Sequence, residues 1–123
     1  MTNPFRDQEK FMRACDQTVG EFNGTQYDMY CALIEEEFKE LQQALADNND
    51  VECLDALIDI LVVTIGAIQS AGFDGEGAWK EVMSTNFAKI DKLTGKVRKR
   101  EDGKVLKPVG WTPPNLAPYL KRT

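Results

Sequence analysis

Histidine is absent from this 123-residue sequence. Its absence removes Ser–His and Cys–His nucleophilic pairs, histidine general bases and the usual zinc and iron ligand sets. A metal would be left to oxygen donors, a set that suits Mg²⁺ or Mn²⁺. Cysteine is scarce: Cys15, Cys31 and Cys53 are odd in number and lack C-x-x-C spacing, which predicts buried thiols in a reducing compartment instead of disulfides or a zinc site. Positive charge is also in deficit. Fifteen Lys and Arg face 20 Asp and Glu, for a net charge of −5, so the basic face that a nucleic-acid polymer needs is not expected. A nucleotide substrate is still compatible, because a bound cation reverses the local field. Long uncharged apolar runs are missing too. The most apolar stretch, residues 54–71, contains Asp55 and Asp59, so no membrane span is predicted. The opening Met-Thr-Asn-Pro-Phe-Arg lacks the charged-then-apolar pattern of a secretory signal, and a cytoplasmic location is expected.

What the sequence does contain is helical periodicity, punctuated at regular intervals. A first helix is predicted over residues 4–19, with Pro4 in the tolerated first turn and Gly20 as the stop. Asn23-Gly24 marks a turn. A second helix is expected over 26–46, and a third over 50–71 with Asp50 as N-cap and Gly72 as terminator. The fourth begins after Asp74-Gly75 and carries Trp79, Val82, Met83 and Phe87 toward Ile90, with Trp79 and Phe87 read as core. Beyond Asp91 the composition changes. Lys96-Val-Arg-Lys-Arg and Lys104-Val-Leu around Asp102-Gly103 read as a short β-hairpin, and Trp111-Thr-Pro-Pro-Asn-Leu-Ala-Pro as an extended tail, with Trp111 anchoring it to a helix. The expected architecture is an all-α four-helix bundle (residues 1–91) with a dependent C-terminal hairpin and docking tail (92–123).

Two helices carry acids where apolar residues belong. On the second, Ile34, Phe38, Leu41 and Leu45 form the predicted core stripe, with Glu37 inside the apolar arc and Glu40 at its edge. Glu36 lies on the border, and Glu35 and Lys39 point the other way. On the third, Glu52, Asp55 and Asp59 fall within an arc of about 60° on a helix that is apolar on nearly every other side. Carboxylates buried without partners cost several kcal/mol or take up protons. Lys39 is the lone basic residue on these two helices, so a divalent cation is the expected compensation. A solvated acidic face would explain the first group alone, but not the second.

These residues resemble the signature of the all-α nucleoside triphosphate pyrophosphatases, a superfamily that includes MazG-like proteins, dimeric dUTPases and phosphoribosyl-ATP pyrophosphohydrolase. Its EExxE matches Glu36-Glu37-Phe38-Lys39-Glu40, and its ExxD matches Glu52-Cys53-Leu54-Asp55. Asn86-Phe-Ala-Lys89, with the stretch from Asp102 to Trp111, is similar to short phage- and integron-type members. The resemblance implies Mg²⁺ (or Mn²⁺) held by Glu37, Glu40, Glu52 and Asp55, with Asp59 as an additional group. It implies hydrolysis between the α and β phosphates of a nucleoside triphosphate, with Glu36, Glu37 and Glu40 in the catalytic group and Glu36 orienting or deprotonating the water. Asn86, Lys89, Lys104 and Lys107 would contact substrate, and a homodimer or homotetramer is implied. Phosphoribosyl-ATP hydrolysis is a further expectation from the same superfamily. A helical adaptor without catalysis is the alternative from another class.

Overall fold

The computed structural model describes residues 3–122. Four α-helices follow in order: α1 (Pro4–Ala14), α2 (Gly24–Ala46), α3 (Asp50–Ser70) and α4 (Gly75–Phe87), with a short 3₁₀ turn at Ala117–Tyr119. The all-helical class and the number of helices are as the sequence predicts. Asparagines start the first three helices. Asn3, Asn23 and Asn49 each accept backbone N–H groups of the first turn through their side chains, satisfying donors that no helical carbonyl can reach. Asn49, not Asp50, is therefore the cap of α3. Gly72 stops that helix at φ +77°, a left-handed conformation that glycine adopts without a steric penalty. α1 ends five residues earlier than its periodicity suggests, because Asp16 takes φ +59° and Gln17 N–H donates back to the Met12 carbonyl at 2.9 Å.

The described residues divide into two compact units, residues 3–75 with 120–122, and residues 76–119. In the first, α3 packs on both α1 and α2. Its core gathers Met12, Tyr30, Val63 and Ala67, flanked by Val19, Tyr27, Cys31, Leu33 and Ile34. Gly66 lies so close to the Tyr30 ring that a Cβ there would stand 2.3 Å from Cε1. A polar knot secures the helix ends. The Gln26 side-chain amide accepts from Thr18 N–H at 2.9 Å and donates to the Thr18 carbonyl at 2.7 Å and to Ser70 Oγ at 2.8 Å. Near the other end of the chain, Arg122 donates to Glu9 at 3.1 Å and its backbone N–H to the Gly72 carbonyl at 3.0 Å.

Several residues expected in the core are not there. Phe38 and Leu45 on α2 are 53% and 60% exposed, and Leu54, Leu57, Ile58 and Leu61 on α3 are about as open. A three-helix unit has only one interior, so a helix apolar on all sides leaves part of itself outside. Trp79 and Phe87 of α4 are likewise exposed. Cys15 is exposed and Cys31 and Cys53 half-buried; all three are free thiols.

The second unit contains α4 and the segment after it. Among the described residues there is no strand, so the predicted hairpin is corrected. The chain does reverse at Asp102-Gly103, where Arg100 N–H donates to the Lys104 carbonyl at 2.8 Å. Pairing is confined to isolated bridges at Ile90–Val97 and Lys99–Val105. A lone ribbon with most of its side chains in solvent buries too little apolar surface to extend a ladder. Trp111 does anchor the tail to a helix, donating its indole N–H to the Thr85 carbonyl on α4 at 2.7 Å. Among the described residues no helix is long and apolar enough to cross a membrane.

Candidate active site

α2 and α3 are joined by three residues, 47–49, and so form a tight helical hairpin. Residues equidistant from that connection face each other. Glu37 lies nine residues before the end of α2 and Asp59 nine residues after the start of α3, which sets them level. Glu40 follows on the same face of α2 at i+3, and Asp55 precedes Asp59 on α3 at i−4.

The electrostatics agree with this placement. Glu37 is half-buried and its Oε2 is fully enclosed without a hydrogen-bond partner. Its pKa is pushed up to about 7, first by burial, then by the adjoining Glu40 carboxylate, then by Asp59 and Asp55. Asp59 is raised by burial, then by Asp55 and Glu40. Among the described residues no Lys or Arg forms an ion pair with any of these four acids. The hairpin thus gathers Glu37, Glu40, Asp55 and Asp59 into one uncompensated group. Glu36 and Glu52, exposed as Glu40 and Asp55 also are, are not among the groups acting on Glu37 or Asp59. Glu52 is level with Ala44, closer to the connection.

Among the described residues no three acidic or thiol side chains converge tightly enough to enclose a metal ion as they stand. The donor set nevertheless fits a hard divalent cation, being all oxygen, mutually repelling and including one buried oxygen with nothing to bind.

The basic candidates occupy the second unit. Lys89 donates to Asn86 Oδ1 at 3.0 Å, and its ammonium lies 5.1 Å from the centre of the Trp111 ring. Lys107 stands 4.9 Å from the same ring. Trp111 therefore collects Asn86, Lys89 and Lys107 into one cluster. Lys104 is exposed, its backbone N–H bonded to Asp102 at 3.0 Å. Sequence reasoning gave Trp111 only an anchoring role. An aromatic residue within a basic segment was the available signal for more.

The family model described as Phosphoribosyl-ATP pyrophosphohydrolase matches residues 6–86. That span includes all four clustered carboxylates and stops at Asn86, before the basic segment. No curated protein matches the chain.

Proposed function

The chain belongs to the phosphoribosyl-ATP pyrophosphohydrolase family, within the all-α nucleoside triphosphate pyrophosphohydrolase superfamily, and from this we propose that it is a Mg²⁺-dependent nucleoside triphosphate pyrophosphohydrolase. It would cleave between the α and β phosphates, giving a nucleoside monophosphate and pyrophosphate, in the service of nucleotide-pool housekeeping. The observation that carries this reading is the partnerless, buried Glu37 Oε2 beside Glu40, Asp55 and Asp59.

Glu37, Glu40, Asp55 and Asp59 would hold the cation, with Glu52 a further donor at the margin. Bound there, Mg²⁺ supplies charge neutralisation for the triphosphate oxygens. The protein's own contribution is positional. Two rigid helices joined by a short turn hold the acids at a fixed level, so little reorganisation is needed as charge develops. Glu36, exposed next to Glu37 in sequence, would orient a water and take its proton as the oxygen attacks the α phosphorus. Pyrophosphate departs as the phosphoanhydride bond breaks. Asn86, Lys89, Lys104 and Lys107 are proposed contacts to substrate.

A second reading concerns substrate alone. The matched family's description favours phosphoribosyl-ATP, which presents the same α–β anhydride and yields phosphoribosyl-AMP and pyrophosphate. The exposed apolar side chains of α2 and α3, Phe38, Leu45, Leu54 and Leu61 among them, support assembly as a homodimer or homotetramer.

Pyrophosphate release with Mg²⁺ is to be measured on a panel of ribo- and deoxynucleoside triphosphates together with phosphoribosyl-ATP. Glu37→Gln and Asp55→Asn should each lower kcat at least ~10²-fold without loss of helicity, the scale on which preorganised electrostatic groups act. A folded Glu37→Gln protein releasing pyrophosphate at the wild-type rate would sink the mechanism.

A further inference from the structure

The charge of this chain is unevenly divided. Residues 76–119 carry nine Lys and Arg against five Asp and Glu, a net +4 within a protein of net −5. Part of that charge surrounds a concavity of about 660 Å³ lined by Lys89, Lys92, Arg98 and Trp111, within the size range of small-molecule sites.

Its two acidic wall residues are already engaged by backbone amides. Glu81 accepts from Asn115 N–H at 2.8 Å. Asp91 Oδ1 accepts from Leu93 N–H at 2.8 Å and Thr94 N–H at 3.4 Å. Among the described residues, Lys89, Lys92, Arg98 and Lys107 have no carboxylate partner. The Trp111 ring holds two ammonium groups close together, and its own N–H is fixed on Thr85. The backbone at Arg98 is pinned in turn, its carbonyl accepting from Leu106 N–H at 2.8 Å. Cations kept close in a concave wall without counterions concentrate positive potential there. Lys and Arg are the side chains that meet phosphate oxygens most directly.

We propose that this pocket binds a phosphate-bearing small molecule, with Arg98 and Lys92 joining Lys89 as the anion-holding groups and Trp111 acting as the positioning residue that keeps Lys89 in its wall. This rests on the proposed function, since Lys89 and Lys107 are among its substrate contacts, and it adds Arg98, Lys92 and Trp111 to them from the charge and shape of the second unit.

Isothermal titration calorimetry of the full chain in EDTA, at fixed ionic strength, tests it without any divalent metal. Inorganic pyrophosphate and a nucleoside monophosphate are titrated separately. Saturable binding of either, with a Kd of about 1 mM or below, supports the site, and the tighter of the two tells free diphosphate from phosphate ester. Arg98→Gln should weaken that binding about tenfold, while Lys10→Gln, which removes an equal charge from exposed α1, should leave it unchanged. Glu37→Gln should bind as the wild type does, so a failure here and a failure of pyrophosphate release are separable. The proposal is overturned if neither ligand saturates, or if Arg98→Gln and Lys10→Gln weaken binding equally.

Discussion

Glu37→Gln should stabilise the metal-free protein above neutral pH and leave it nearly unchanged in mild acid. The ordinary carboxyl pKa of 4.5 is pushed up to about 7 at Glu37 in the fold. Below 4.5 both folded and unfolded chains hold the proton, and the site contributes no penalty. Between 4.5 and 7 the unfolded chain releases it first, so stability falls as pH rises, and the deficit is complete above 7. At 1.36 kcal/mol per pKa unit the ceiling is roughly 3 kcal/mol. Solvent around the rest of this half-buried side chain lowers that to about 1–2 kcal/mol. Glutamine has the same shape and no charge, so it escapes the penalty at every pH. With a urea m-value of about 2 kcal/mol/M, the unfolding midpoint should rise by ~0.5–1 M at pH 8.5 in EDTA, at matched protein concentration. Saturating Mg²⁺ should reverse the order. A ligand at a hundredfold excess over its Kd adds about 2.7 kcal/mol to a protein that binds it, and the variant has lost the charge of the buried carboxylate proposed to hold the cation. Equal midpoints for the two proteins at pH 8.5, or an advantage for the variant of the same size at pH 4.5, would refute the electrostatic account.

Two further outcomes test packing and assembly. Gly66→Ala places a methyl 2.3 Å from the Tyr30 ring, and displacing that ring should cost about 1–3 kcal/mol, read by calorimetry as a Tm lower by several degrees; an unchanged Tm would mean that the ring has room to move. Leu54→Asp with Leu61→Asp alters side chains that a single copy leaves exposed, so the helical content should persist while sedimentation velocity shows a monomer in place of the proposed dimer or tetramer.

The helices were legible because apolar spacing and asparagine–glycine punctuation agree at each boundary. The end of α1 was not, since the residue that turns the chain at positive φ is Asp16, and an aspartate there gives no signal of the kind Gly72 gives. Phe38, Leu45 and Leu61 show a second limit. Periodicity identifies which residues seek burial, but it does not say whether their cover comes from the same chain. The carboxylate site was half readable. A helical projection places Glu52, Asp55 and Asp59 on one arc of α3, but it discards height along the axis. Counting outward from the three-residue connection restores the height and selects Asp59 and Asp55 as the neighbours of Glu37 and Glu40. The motif match pairs Glu52 with Asp55 and makes Asp59 an additional group. An aromatic residue among basic ones signals cation contacts, but which lysines Trp111 gathers depends on where an irregular chain folds back.

The amide of Gln26 makes the first unit sensitive to the loss of a single nitrogen. It stands in for a peptide group, accepting from Thr18 N–H while donating to the Thr18 carbonyl and to Ser70 Oγ. Hydrolytic deamidation would exchange its NH₂ for an oxygen and turn a donor toward the Thr18 carbonyl into a second acceptor. Ser70 could not restore the balance without giving up its own 2.7 Å bond to the Gly66 carbonyl. Asparagine is one methylene shorter, glutamate lacks the donor and lysine lacks the acceptor. Loss of this one amide would thus loosen the fold where the α1–α2 loop meets the end of α3, far along the hairpin from the acids.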